Sequence, residues 1–324
     1  NSAWGVIAGA EIGSRRLRAE LADLDGAPLD RSDVPAHPER GPEALLDSVE
    51  AAVRELLERR ASRGRRLVAM AIAAPGRVDS EAGVVLEAGN LFHWRDVEIR
   101  ARFERAFRTH VVVDNDVNLA VLGETHHGVA RGARNVVLIR LDTGIGAGVM
   151  LNGRLHRGSH WAAGEIGHMI FGRAPECNGF HERGYLESLV GADRLSERLG
   201  NGVPADGGLP AMLARAADRR DPAAAAILDD VAANLSMAVA NLAAALDPEL
   251  IVLDGKLFDL VAEHIQEVVA RAIRWPLRIE RSSLGDDSVV RGAVSAARAL
   301  AHDLISRRDR KETESGKPRR RVSV

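Results

Sequence analysis

At 324 residues the chain is long enough for two domains of ordinary size, each with its own core. A formal net charge of −2 excludes a global electrostatic footprint for nucleic acid or for a strongly acidic partner. The single cysteine, Cys177, excludes an internal disulfide framework and suits a reducing cytoplasm.

No apolar run in the sequence reads as long enough to span a membrane, and no charged-then-apolar leader opens it. The expectation is a soluble cytoplasmic protein. The chain begins Asn1-Ser2-Ala3-Trp4, without an initiator methionine, so further residues are expected upstream.

From Gly5 to Leu21 an apolar run, a turn at Gly13-Ser14 and renewed alternation predict a long β-hairpin. Residues Gly41 to Arg60 carry Leu45, Leu46, Val49, Val53, Leu56 and Leu57 at helical spacing. Leu67 to Ala74 reads as a strand ending at Pro75-Gly76, Val84 to Leu86 as extended, and Asp96 to Phe107 as a helix. Val111 to Val113 is a short buried strand that runs into Asp114-Asn115-Asp116, and a helix begins at Asn118. Polar residues between a buried strand and a helix are where α/β folds place chemistry, although an Asp there is also an ordinary turn or cap residue.

Val136 to Leu141 predicts a strand, followed by the glycine-rich Thr143-Gly144-Ile145-Gly146-Ala147-Gly148 and a second strand that ends at Asn152-Gly153. Alternate glycines let a backbone approach an anion closely, and they also make plain tight turns. Past Glu187 the pattern turns helical: a short helix over Asp193 to Leu199, a glycine-rich loop over Gly200 to Gly208, then helices over Leu209 to Asp218 and Pro222 to Leu246. A strand over Leu250 to Leu253, the turn Asp254-Gly255-Lys256, a helix over Leu260 to Ile273 and a last helix fading near Ser306 complete the order. Residues 307–324 carry eight basic and three acidic residues with no apolar period, which predicts a disordered, solvated tail.

The motifs VVVDNDVNLAVLGE, LDTGIGAGVMLNGRLHRGSHWAAGEIGH, LDPELIVLDG and GDDSVVRGAVSAA, in that order, resemble the ROK family of repressors, open reading frames and sugar kinases. The resemblance implies a two-lobed α/β protein with the actin-like, ribonuclease-H-like ATPase fold and a ligand cleft between the lobes. It places residues 1–115 in an N-terminal lobe, 116–289 in a C-terminal lobe, and the helix 290–306 back on the first lobe. It also implies a homodimer or homotetramer. By the same resemblance Asn90, Asn115, Asp116, Glu165, His168 and Glu187 contact a hexose or amino sugar, or its phosphate. Asp116 matches the general base of the kinases, and Glu11, Gly13, Thr143, Gly144 and Gly146 match their phosphate loops.

Two stretches depart from the pattern. Glu11-Ile12-Gly13-Ser14-Arg15 stands where kinases have Asp-x-Gly-Gly-Thr, and Asp254-Gly255-Lys256 stands where they carry a Gly-Gly pair against the adenosine, which predicts crowding of a nucleotide. The zinc-binding cysteine positions fall on Asn178, Phe180 and Tyr185, so no structural zinc is expected; His168, Cys177 and His181 are the alternative metal ligands, against packing by Phe180 and Tyr185. The expectation is therefore a sugar-sensing effector domain of a transcriptional regulator. It would bind a small-molecule sugar, reach operator DNA through an upstream domain and have no membrane partner. The alternative is an ATP-dependent sugar kinase using MgATP, with Asp116 catalytic.

Overall fold

The computed structural model describes residues 5–59, 62, 64–89, 91, 93–171, 184–198, 214 and 222–314. The opening run forms β1 (Gly5–Ile12), buried along its whole length, and pairs antiparallel with β2 (Arg16–Ala22). A further strand, β3 (Pro28–Pro35), pairs with β2; its polar sequence PLDRSDVP gave no period-2 signal. Helix α1 (Gly41–Glu58) buries the expected stripe Leu45, Leu46, Val49, Val53 and Leu56. Then β4 (Arg66–Ala74) and β8 (His110–Asn115) add to the free side of β1 in parallel, giving the order β3-β2-β1-β4-β8.

Between β4 and β8 a small antiparallel sheet forms from β5 (Arg77–Asp79), β6 (Val84–Glu87) and β7 (Arg95–Glu98). Strand β7 takes the start of the helix expected from Asp96. Asp96 itself has φ 53°, which no right-handed helix accommodates, and α2 starts only at Ile99 and runs to Phe107.

The second sheet has the order β11-β10-β9-β12-β13, from β9 (Val136–Leu141), β10 (Ile145–Leu151), β11 (Arg154–Leu155), β12 (Leu250–Asp254) and β13 (Arg278–Arg281). The β9–β10 and β10–β11 pairs are the expected hairpins around the glycine turn and Asn152-Gly153. Edge strand β13 has one apolar residue in four, so nothing in its pattern announced it.

Helices α3 (Asp116–His127) and α8 (Ser288–Glu314) lie between the sheets. One shared core joins Ile7, Ala69, Ala71 and Ala73 of the first sheet to Val136, Leu138, Leu250 and Val252 of the second through Leu119, Val121, Val289 and Val294. The two helices cross at backbone contact: a Cβ on Gly292 would lie 1.7 Å from Leu119 O, and one on Gly123 2.1 Å from Ser288 O. Small residues in RGAVSAA therefore set how closely α8 seats. That helix runs through Glu314, which corrects the expectation of a disordered tail from residue 307; residues 315–324 lie outside the described residues.

On the far face of the second sheet pack α4 (Tyr185–Val190), α5 (Ala192–Arg198), α6 (Pro222–Leu246) and α7 (Phe258–Ala272). Helix α6 is, against expectation, long and apolar enough to cross a membrane, but Ile227, Val231, Leu235, Val239 and Leu242 sit in this core. The glycine-rich loop from Gly200 and the helix expected over Leu209 to Asp218 fall mostly outside the described residues.

Candidate functional site

The site forms where the parallel strands of the first sheet end and the glycine turn of the second comes to meet them. Register sets Glu11 of β1, Ala73 of β4 and Asp114 of β8 level with one another, so Glu11 and Asp114 stand on one face at the carboxyl ends of their strands. Asp116 follows Asn115 and opens α3.

Asn115 is the helix cap. Its Oδ1 accepts from Val117 N at 2.8 Å and Asn118 N at 3.1 Å, and its Nδ2 donates to Gly76 O at 2.9 Å. Among the described residues the second N–H of that amide has no hydrogen-bond acceptor. Asp116 Oδ1 accepts from Val117 N at 2.9 Å. Burial raises the proton affinity of Asp116, Arg140 opposes the rise and the Asp142 carboxylate adds to it.

Glu165 precedes the 3-10 turn Ile166–His168, whose last residue, His168, is exposed. Although the outer surface of Glu165 is open, the cleft desolvates its carboxyl and raises its pKa; the Asp116 and Glu187 carboxylates push the same way. Glu187, on the first turn of α4, accepts from Ile145 N at 3.1 Å. A Cβ on Gly144 would lie 2.7 Å from Glu187 Oε2, so the glycine there makes room for this carboxylate. Gly148 serves packing instead, since its Cβ would meet Val117 O of α3 at 2.4 Å. Glu165 thus lies within electrostatic reach of Asp116 and Glu187, Asn115 adjoins Asp116, and Glu187 reaches the glycine turn after Thr143 and Gly144; His168 follows Glu165 by three residues, exposed at the end of the 3-10 turn. Asn90, Cys177 and His181 lie outside the described residues.

On the phosphate-loop side the two sheets touch. Ser14 Oγ lies 3.3 Å from Thr143 Oγ1, and Arg15 is ion-paired with Asp142. Gly13 N donates to Arg16 O and closes the β1–β2 turn. Glu11 is buried with Arg18 Nη1 at 3.3 Å, and desolvation pushes its carboxyl up to about 7 against the pull of Arg140 and Arg18.

Arg140 is the residue that sequence reasoning missed. Its Nη1 lies 2.7 Å from Asp254 Oδ2, and Ser288 Oγ donates to the same carboxylate oxygen at 3.1 Å. Burial works against its charge, but the Asp254, Glu11, Asp116 and Asp142 carboxylates outweigh burial and hold its proton more firmly than usual. The signal was legible: Arg140 is the one charge in VVLIRL, and it stands level with Asp254 on the neighbouring strand.

That pair also corrects the expectation that Asp254 crowds a nucleotide. Its side chain is buried and turned to Arg140 and Ser288, which leaves Gly255 and the exposed Lys256 at the surface. Gly255, at φ 122°, has no room for a Cβ, which would lie 2.0 Å from Leu141 O. The residues fit nucleotide phosphates: hydroxyls of Ser14 and Thr143, the half-exposed cation of Arg15, and a glycine turn beside them. For magnesium they offer the Glu11 carboxylate, and one carboxylate with substrate phosphates and waters is a common magnesium set.

The ROK family model matches residues 7–300. Glucokinase from Halalkalibacterium halodurans is 30% identical over 312 residues, 89% of this chain and 93% of the relative. Among solved structures, the ROK family glucokinase from Streptomyces griseus, in complex with glucose and AMPPNP, superposes with a TM-score of 0.74 at 27% identity, covering 91% of this chain and 100% of that one. The ROK hexokinase from Thermus thermophilus gives 0.74 at 29% identity, covering 92% and 99%. These relatives overturn the expectation of a regulator's sensing domain: the similarity to sugar kinases runs through the phosphate-loop side as well as the sugar side, and of the charges that suggested a ruined nucleotide site Glu11, Arg15 and Asp254 are paired within the fold. With its mixed sheets in the actin-like, ribonuclease-H-like arrangement of these kinases, the chain belongs to the ROK family.

Proposed function

We propose that the protein is an ATP-dependent sugar kinase that phosphorylates a hexose, with glucose, the sugar in the similar Streptomyces griseus structure, as the first substrate to test. The observation that carries the reading is Asp116, a carboxylate at the mouth of the cleft whose proton affinity is raised by burial, between the phosphate-loop side and Glu165. MgATP, when bound, supplies the phosphoryl group and the divalent charge that neutralises it. Asp116 accepts a hydrogen bond from the sugar hydroxyl and takes its proton as the oxygen becomes nucleophilic. Glu165 and His168 orient neighbouring hydroxyls, and the remaining N–H of Asn115 donates to one more. Glu187 acts on the glycine turn, holding Ile145 N. Ser14, Thr143 and Arg15 receive the phosphates, and Arg140 offsets the negative charge that gathers among Glu11, Asp116 and Asp142.

The experiment is sugar-dependent ADP release across a panel of hexoses and amino sugars. Asp116→Asn keeps the shape but removes the base, and is expected to lower kcat by about 10²–10⁴-fold. Wild-type turnover in Asp116→Asn, or no turnover of any sugar by the native chain, overturns the reading.

A further inference from the structure

A second contact joins the two sheets, at the sugar side. Arg157, in the loop that follows β11, places Nε 2.9 Å and Nη2 2.6 Å from Asp114 Oδ2 at the end of β8. The other oxygen of Asp114 accepts from Asn115 N at 2.9 Å and Asn118 Nδ2 at 3.0 Å. Asp114 is 5% exposed, so its charge is buried and fully engaged. The Arg157 guanidinium is taken by this carboxylate, which argues against holding it free for a sugar phosphate.

The loop that carries Arg157 ends at Glu165. Its shape rests on backbone bonds: His156 N to Val149 O, Ala163 N to Arg157 O, and Ala147 N to Gly164 O. Three of its residues, Gly158, Trp161 and Gly164, have positive φ. All those bonds lie within the second sheet's half of the molecule. Arg157 ties the loop instead to β8, two residues before Asp116. We infer that the Asp114–Arg157 pair is a positioning pair that fixes the distance between Asp116 on one side of the sugar site and Glu165 on the other. The guanidinium acts as a fork in a set plane, so it holds direction as well as distance. Neither residue touches the sugar; both act through their neighbours.

The kinetic half of the test rests on the kinase reading, and the exchange half does not. Arg157→Ala is expected to raise KM for the sugar roughly tenfold with kcat changed less than about threefold, since positioning lost equally from ground state and transition state appears in KM. Millimolar guanidinium should restore part of that loss, and Arg157→Lys should fall between, because an ammonium cannot make the forked contact. Amide hydrogen exchange over residues 156–168 should quicken in Arg157→Ala and in Asp114→Asn, while the core of α3 and β9 stays protected. If neither variant changes exchange in that loop, the inference is overturned whether or not the protein is a kinase. Turnover with wild-type KM in Arg157→Ala overturns it too. If the native chain turns over no sugar but the loop loosens in both variants, the pair stands as positioning and the kinase reading fails.

Discussion

Glu11 carries the clearest consequence at the scale of one residue. Its carboxyl is pushed up from 4.5 to about 7 by burial, so the folded chain keeps a proton that the unfolded chain releases between those pH values. Stability is then highest below pH 4.5 as far as this group is concerned, falls as pH rises, and the loss is complete only once pH has passed above the folded value of about 7. Between pH 4.5 and 7 each pH unit costs about 1.36 kcal/mol, roughly 3 kcal/mol altogether. Glu11→Gln has no proton to lose and keeps the buried amide near Arg18. Urea unfolding across this pH range should show a shallower fall for the variant than for the native chain. Parallel curves would mean that Arg140 and Arg18 neutralise Glu11 in the fold. The same neighbours show how the fold accommodates a glutamate at this place: its carboxylate reaches the Arg18 guanidinium at 3.3 Å.

At the scale of elements, α3 is fixed at both ends by polar contacts. Asn115 caps its start, and Asn115→Ala should cost about 1 kcal/mol while Asn115→Asp retains most of the cap. Thermal unfolding separates this cap effect from any effect on sugar affinity. At the other end Glu124 is wholly buried and accepts from Val129 N at 2.9 Å, Leu284 N at 3.0 Å and Ser282 Oγ at 2.6 Å. It ties the α3 terminus to the chain just before α8. Glu124→Ala strands several donors and should destabilise by about 3 kcal/mol or more, read as a lower urea midpoint at unchanged slope. A loss under about 1 kcal/mol would show that water replaces the carboxylate there. These ends mattered to reading the sequence: Asp114 was open between cap and ligand, and the cap is its neighbour Asn115.

For the whole molecule, two ion pairs among the described residues bridge the cleft, Arg15 with Asp142 at the phosphate side and Arg157 with Asp114 at the sugar side. The first pair is about half exposed on both partners and is worth at most about 1 kcal/mol, less in high salt. The second is sheltered. A ligand that contacts both halves stabilises only the folded chain, so sugar at about 100 times its Kd should add about 2.7 kcal/mol and raise Tm. Asp142→Ala should leave that sugar-dependent rise intact and change the rise produced by nucleotide. An equal change in both would place Asp142 outside the nucleotide side.

Consecutive residues were enough to reveal the apolar periods, the two glycine-bearing hairpins and the ordered motifs that identify the family, because burial of a strand or helix face and the geometry of a tight turn are local demands. They also brought Asp116, Glu165 and His168 into view. What the charged residues do depended on the packed chain. Asp254 turns inward because Arg140 waits on the adjacent strand, Arg15 is matched by Asp142, and Arg157 finds Asp114 from 43 residues away. β3, β13 and the Asp96 turn were hidden for the same reason: their place is set by the strand or helix beside them, and their own residues carry no period that announces it. An ion pair has no sequence spacing, and a departure from a motif changes meaning once its partner across the fold is known.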